Sequence, residues 1–280
     1  MRATRLDVYE LLNNQGGVIS HECPWELNSL LRRMAAAGEL TSILPGIFAA
    51  SSRADDLAIR MRAAKLRDPD VVFTGLTAAH LLWGVVHRGP VCATGRTWSD
   101  RPGFRFTEAS VDPDWVTDTG EFRCMSAPLA AVDLIPERGG EFVDHLLRVS
   151  KDRGSQVLQR MWDAVAAHPN RPGNAQRRRV LRDSRDRPWS AAERTVHSQL
   201  RAAGIKGWRA NYCIETSAGR VYFLDVVLPA DRLVLEVDGY EYHSSRGGLR
   251  TGSGAAERLG RRWLAGPADH VGDDPGRTVG

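Results

Sequence analysis

Apolar residues recur at helical spacing at the start of the chain, where Leu6, Tyr9 and Leu12 share a face and Thr4 precedes Asp7 by the three residues of a capping box. Gly16 and Gly17 predict the end of this helix, and Val18-Ile19 reads as a short extended run. Ser20 is another plausible cap, and Pro24 suits the first turn of a second helix reaching residue 37. Leu27, Leu30, Leu31 and Met34 form its apolar face, and Gly38 closes it. Two short apolar runs, 40–44 and 47–50, meet across Pro45-Gly46 and predict a β-hairpin. Helix, helix, hairpin within residues 1–52 is the outline of a winged helix-turn-helix, a fold that presents its last helix to the DNA major groove. On that helix Asn28, Ser29, Arg32 and Arg33 are the candidates to meet DNA; the plainer alternative is that both arginines solvate an exposed face. The hairpin tip LPGI carries no basic residue, which argues against a wing that grips phosphate.

From 53 to 170 the pattern predicts a small α/β middle domain. Residues 55–66 read as an amphipathic helix and 77–83 as a buried one, followed by strand-like runs at 104–106 and 122–125. Helix returns at 128–135 and continues over 141–169. His80, His87 and His145 lack metal-ligand spacing, so no catalytic cluster is expected here. Residues 171–189 hold seven arginines between Arg171 and Arg187, Arg177, Arg178 and Arg179 among them. This stretch is read as an Arg-rich linker that is either a solvated face or a track for a phosphate backbone.

The pattern changes again at Ser190, which caps a helix with Glu193 three residues on and Gly204 closing it. Three strand-like runs follow, at 208–214, 221–228 and 233–237, and the last two place Asp225 and Glu236 at matching points of a strand pair. A carboxylate in an apolar β run is costly unless a cation compensates it. Acidic side chains on adjacent strands behind a helical Glu suit a Mg²⁺ site, where hard oxygens hold an ion that binds a phosphate and activates water. The alternative for the Asp225/Glu236 pair is surface carboxylates on an edge strand, and for Asp238-Gly239 a plain turn.

Composition narrows the classes. The 280 residues, 42% hydrophobic and 26% charged, exclude collagen, coiled coil and wholesale disorder, and predict two or three domains. The most apolar run, 71–86, is too short to span a bilayer and carries His80. Asp7 and Glu10 stand where a secretory signal needs apolar residues, so the chain is expected in the cytoplasm, away from membranes. Cys23, Cys92, Cys124 and Cys213 form no CxxC pair, which suits buried thiols better than disulfides or zinc. The net charge of +4 is unevenly spread: residues 1–150 hold 16 basic against 19 acidic side chains, and 151–245 hold 16 against 11.

Two resemblances follow. GGVIS, LRRMAAAGELTSILPGIFAAS and VVFTGLTAAHLLWGV resemble the start of bacterial AbiEi-type antitoxins of type IV toxin–antitoxin systems, which implies an operon promoter as the DNA target and a cognate toxin as partner. NYCIETSAGRVYFLDVVLPADRLVLEVDGYEYH is similar to an uncharacterised bacterial domain family related to the very-short-patch repair endonuclease, within the PD-(D/E)XK superfamily. That similarity implies a Mg²⁺-dependent DNA endonuclease domain over 190–245: Asp225 and Glu236 as metal ligands, Glu193 as the outer acidic residue, and His243 as proton donor or water-positioning group. Asp238 stands where the superfamily has its lysine, so either Asp238 joins the metal site or catalysis relies on His243.

After His243 the family continues with an Arg-rich helix and a closing strand, whereas residues 246–280 are Gly-rich and aperiodic. Permitted codons for 264–275, read one base forward, give Trp-Arg-Val-Leu-Arg-Ile-Thr-Trp-Glu-Thr-Thr, the missing ending. The tail is therefore expected to be out of frame, which the gene's nucleotide sequence tests, leaving the endonuclease-like domain without its last helix and strand. The expected fold class is α/β of the α+β kind. The expected function is a DNA-interacting protein with an endonuclease-like domain; the alternative is a non-catalytic transcriptional regulator or antitoxin.

Overall fold

A computed structural model describes residues 4–21, 25–95, 100–107, 110–150, 153–215 and 220–237. The expected turn at Asp238, His243 and the segment 246–280 lie outside the described residues. The chain is a mixed α/β structure in which helices pack on separate small sheets, in line with the α+β class.

The first unit follows its pattern closely. Helix α1 (Arg5–Asn14) opens on the Thr4/Asp7 capping box, which satisfies two of the helix's orphan N–H groups. Strand β1 (Val18–Ser20), helix α2 (Trp25–Ala36) and the hairpin of β2 (Leu40–Leu44) and β3 (Ile47–Ala50) complete it, with sheet order β1-β3-β2. Strand alternation in β1 and β3, with a β-bulge between Ser42 and Leu44 that switches the face of β2, sends the two faces of this sheet to different cores. Ile19 and Leu40 join Val8, Leu12, Leu27, Leu30, Leu31 and Met34 from α1 and α2, while Val18, Leu44, Ile47 and Ala49 join Ile59 of the next helix, α3 (Leu57–Arg67). The main core draws on residues from both sides of 52/53. The hairpin tip is held too, since His21 N–H donates to Gly46 O (2.7 Å) and Arg67 donates to Pro45 O (3.2 Å). A Cβ on Gly46, whose φ is +74°, would stand 2.2 Å from the His21 ring, so glycine is required there.

The middle of the chain is built on α4 (Gly75–Trp83), the parallel pair β4 (Val91–Thr94) and β5 (Phe104–Thr107), and the antiparallel pair β6 (Val116–Asp118) and β7 (Arg123–Met125). Phe73 stitches the two pairs together, bridging both Ala93 and Cys124. Helices α5 (Ala127–Asp133), α6 (Ile135–Arg138), α7 (Glu141–Ser150) and α8 (Gly154–Ala167) cover them. The single helix expected over 141–169 is therefore two, α7 and α8. Leu129, Ala130, Ala131 and Val132 of α5 are all buried, because this short helix is enclosed on every side.

The segment expected to be a linker is helix α9 (Asn174–Asp183), whose Leu181 is fully buried in the main core. The last described unit is α10 (Ala191–Ala202) followed by an antiparallel meander, β8 (Arg209–Glu215), β9 (Val221–Leu228) and β10 (Leu233–Leu235). Its core is small: Leu200, Val226 and Leu228, with Val196, Trp208 and Leu235 against them. No helix among the described residues is long and apolar enough to cross a membrane.

His197 of α10 sits at 0% exposure with its ring 4.8 Å from that of Trp208, and neither ring nitrogen has a hydrogen-bond partner among the described residues. Burial pushes its pKa down to about 4, with Asp186 opposing and Arg201 and Arg194 reinforcing the shift. The folded state therefore holds a neutral ring, and below pH 6.5 the unfolded chain binds the proton more readily. Stability is expected to fall by about 2–3 kcal/mol as pH drops from 6.5 to 4. Urea unfolding across that range checks this: His197→Leu should flatten the decline, and an unchanged slope in that variant would refute the assignment.

Candidate functional site

The site grows from strand register. Leu235, the last residue of β10, pairs with Val226, and extending that register by one residue sets Glu236 opposite Asp225 at the centre of β9. On the other side, Ala210 pairs with Val226 and Tyr212 with Leu224, so Asn211 of β8 also lies opposite Asp225. Asn211, Asp225 and Glu236 thus form one row across the sheet. Asp225 Oδ2 accepts the N–H of Val237 at 2.6 Å, which fastens the end of β10 to the row. Asp225 is half-buried and Glu236 exposed.

Glu193 reaches the same place from the first turn of α10. It is buried at 6% exposure, and its two oxygens accept the Trp189 N–H and the Ser190 hydroxyl, each at 2.9 Å. Ser190 in turn accepts the Glu193 N–H at 3.1 Å, so the expected cap is formed. Burial pushes the Glu193 carboxyl above its usual range and the charge of Asp225 adds to it, while hydrogen bonds from Trp189, Ser190 and Asn211 pull the other way. Glu193 is the acidic residue behind the strands, and its oxygens are committed to the helix start.

Asn211 was not singled out by its residue type. Its φ is +46°, a left-handed conformation that asparagine tolerates better than most side chains, within a strand where asparagine is depleted. Nδ2 donates to Arg187 O at 2.9 Å, and Oδ1 is buried with no hydrogen-bond partner among the described residues. That asparagine in an otherwise β-rich run was the available signal.

Two carboxylates on neighbouring strands suit Mg²⁺, which takes one or two carboxylates and completes its octahedron with water and substrate phosphates. Asp225 on β9 and Glu236 just beyond β10 are the two carboxylates of this row. Among the described residues, no group of three His, Cys, Asp or Glu side chains gathers to hold a metal. Asp238 and His243, expected to complete the site, lie outside the described residues.

The expected DNA-contacting residues divide. On α2, Ser29, Arg32 and Arg33 are exposed and Asn28 is half-buried. Arg178 and Arg179 on α9 are exposed as well. Arg177 is a correction: it is 4% exposed and donates to Val132 O (2.8 Å), Pro172 O (2.6 Å) and Asn174 Oδ1 (3.1 Å), with Asp133 also in reach. Val132 and Asp133 end α5, where unsatisfied carbonyls and the negative end of the helix dipole attract a cation. Arg177 is therefore a structural plug and cannot reach a DNA phosphate. The expectation of buried thiols holds for Cys124, whose pKa burial pushes up to about 11, whereas Cys213 is exposed. His80 is a satisfied packing residue, its Nδ1 lying 2.8 Å from Val85 O.

No protein-family model matches the sequence, and a search of curated proteins finds no match.

Proposed function

We propose that this chain is a DNA-interacting protein in which a winged-helix-like first unit faces DNA with α2 and an endonuclease-like last unit, of PD-(D/E)XK type, hydrolyses phosphodiesters with Mg²⁺. The observation that carries the reading is the β9–β10 register, which extended one residue past β10 sets Glu236 opposite Asp225, with buried Glu193 close to Asp225. In this reading Asp225 and Glu236 hold the ion, which supplies charge neutralisation at the scissile phosphate. Glu193 lies close to Asp225 and fixes the start of α10. Exposed Ser29, Arg32 and Arg33 supply phosphate and base contacts in the first unit. The test is nicking of supercoiled plasmid by the full chain with and without Mg²⁺, alongside Asp225→Asn. Mg²⁺-dependent nicking that the variant lacks supports the reading, and nicking of equal rate by both refutes it.

A second reading is a non-catalytic transcriptional regulator or antitoxin of a type IV toxin–antitoxin system, with a cognate toxin as partner and its own promoter as target. It is favoured by the commitment of both Glu193 oxygens to the helix start. No nicking by either protein, together with duplex binding that Arg32→Ala/Arg33→Ala weakens, would leave this reading standing.

A further inference from the structure

Away from the carboxylate row, four arginines from three separate segments border one concavity of about 530 Å³. Arg60 comes from α3, Arg88 from the loop after α4, and Arg101 and Arg105 flank the start of β5. We propose that this concavity is a binding site for phosphate oxyanions.

The charge count carries the first step. The lining holds four guanidinium groups against one carboxylate, Asp100, and that carboxylate already accepts the Phe106 N–H at 2.9 Å. Among the described residues, Arg88, Arg101 and Arg105 have no ion-pair partner. Asp55 pairs with Arg60; the other three guanidinium groups, like charges gathered on one concavity, repel one another, and an anion of two or more charges relieves that.

Construction is the second step. Arg60 is the floor of the site: its side chain is 17% exposed, its Nε donates to Ala54 O at 3.0 Å, and Asp55 fixes one terminal nitrogen. The guanidinium passes beneath the turn at Gly103, where an added Cβ would meet Arg60 Cζ at 2.5 Å. Gly103 also has a φ of +81°, and its carbonyl accepts the Val91 N–H at 2.8 Å, so the turn is anchored to β4. One half-buried arginine, ordered in advance and surrounded by three exposed ones, matches a tetrahedral oxyanion. Its several oxygens engage planar guanidinium forks from different directions. A carboxylate ligand, with two oxygens in one plane, would use fewer of these forks.

Phosphate of this kind reaches a protein either on a free phosphorylated molecule or in a nucleic-acid backbone, and two probes separate the sources. Pyrophosphate is titrated into the full chain by calorimetry, and a labelled DNA duplex is followed by fluorescence anisotropy at several salt concentrations. The proteins compared are the unaltered chain, Arg88→Gln/Arg101→Gln/Arg105→Gln, and a control that removes equal charge elsewhere, Arg138→Gln/Arg148→Gln/Arg153→Gln. Thermal melting and circular dichroism verify that each is folded. Saturable pyrophosphate binding weakened at least tenfold in the pocket variant alone assigns the site to a free phosphorylated ligand. Duplex binding weakened in that variant alone, with a salt dependence shallower by about 2–3, assigns it to a nucleic-acid backbone. The proposal is overturned if neither probe distinguishes pocket variant from control, including the case where both lose binding equally through net charge. It does not depend on the carboxylate row: an unaltered nicking rate in the pocket variant leaves it intact, and failure of Asp225→Asn to affect nicking does not touch it.

Discussion

Replacing Arg194 by methionine is expected to cost about 3–5 kcal/mol, because it strands a buried carboxylate. Arg194 rises from α10 and contacts Asp144 of α7, with side-chain exposures of 14% and 3%. The same guanidinium donates to Val180 O at 3.0 Å and to Ser184 Oγ, both at the end of α9. Gly140 makes room for it, since a Cβ there would lie 2.7 Å from the guanidinium. Methionine fills much of the volume but satisfies none of these acceptors. Burial already holds the Asp144 carboxyl at about 7 against the pull of Arg194, and without the arginine that value climbs further. A carboxyl with a raised folded pKa keeps its contribution below the ordinary carboxylate range and loses it as pH rises through the folded value. The deficit of Arg194→Met should accordingly be larger at pH 8 than at pH 5 in urea unfolding. A deficit under 1 kcal/mol, or one equal at both pH values, would show that the pair does not bear this charge. The consequence reaches function, since Arg194 is next to Glu193 and ties the helix behind the carboxylate row to the main core.

Much of this fold was legible locally. The Thr4/Asp7 box, the apolar face of α2 and the Pro45-Gly46 hairpin are short-range signals, so α1, α2, β2 and β3 fall where their residues place them. The register of β9 against β10 was legible for a similar reason: the turn between them is tight, and a tight turn sets the pairing on both sides of it. What escaped was long-range. Nothing near Arg177 in the chain announces that it fills the carbonyl end of α5, some 45 residues earlier, so α9 reads as a charged linker. Nor does the 1–52 unit disclose that its sheet is covered on the far face by α3, which merges its core with the next. The buried Asp144–Arg194 pair joins residues 50 apart and was invisible for the same cause. Asn211 needed knowledge of a left-handed backbone in mid-strand, which residue type only hints at.

Asp225→Asn should separate a working carboxylate from a structural one. Asparagine keeps the shape and an oxygen able to accept the Val237 N–H, which Asp225 now receives at 2.6 Å. What it removes is charge. If Asp225 were there for the fold, loss of that charge-assisted hydrogen bond would lower stability by about 1 kcal/mol. In the proposed site the opposite balance holds, because the negative charge of Asp225 helps to push the buried Glu193 carboxyl upward, an electrostatic cost to the folded chain. Neutralising residue 225 relieves that cost, so unfolding stability at pH 7 should be unchanged or higher, while Glu193 moves back toward its ordinary range. Mg²⁺-dependent plasmid nicking, by contrast, should fall by about a thousandfold or more, the scale of losing one preorganised electrostatic contact to the reacting phosphate. Stability bought by removing a charge and activity lost with it is the signature of a residue kept for chemistry. A variant that is less stable and nicks DNA at the unaltered rate would assign Asp225 to the fold and take the carboxylate row out of the reaction.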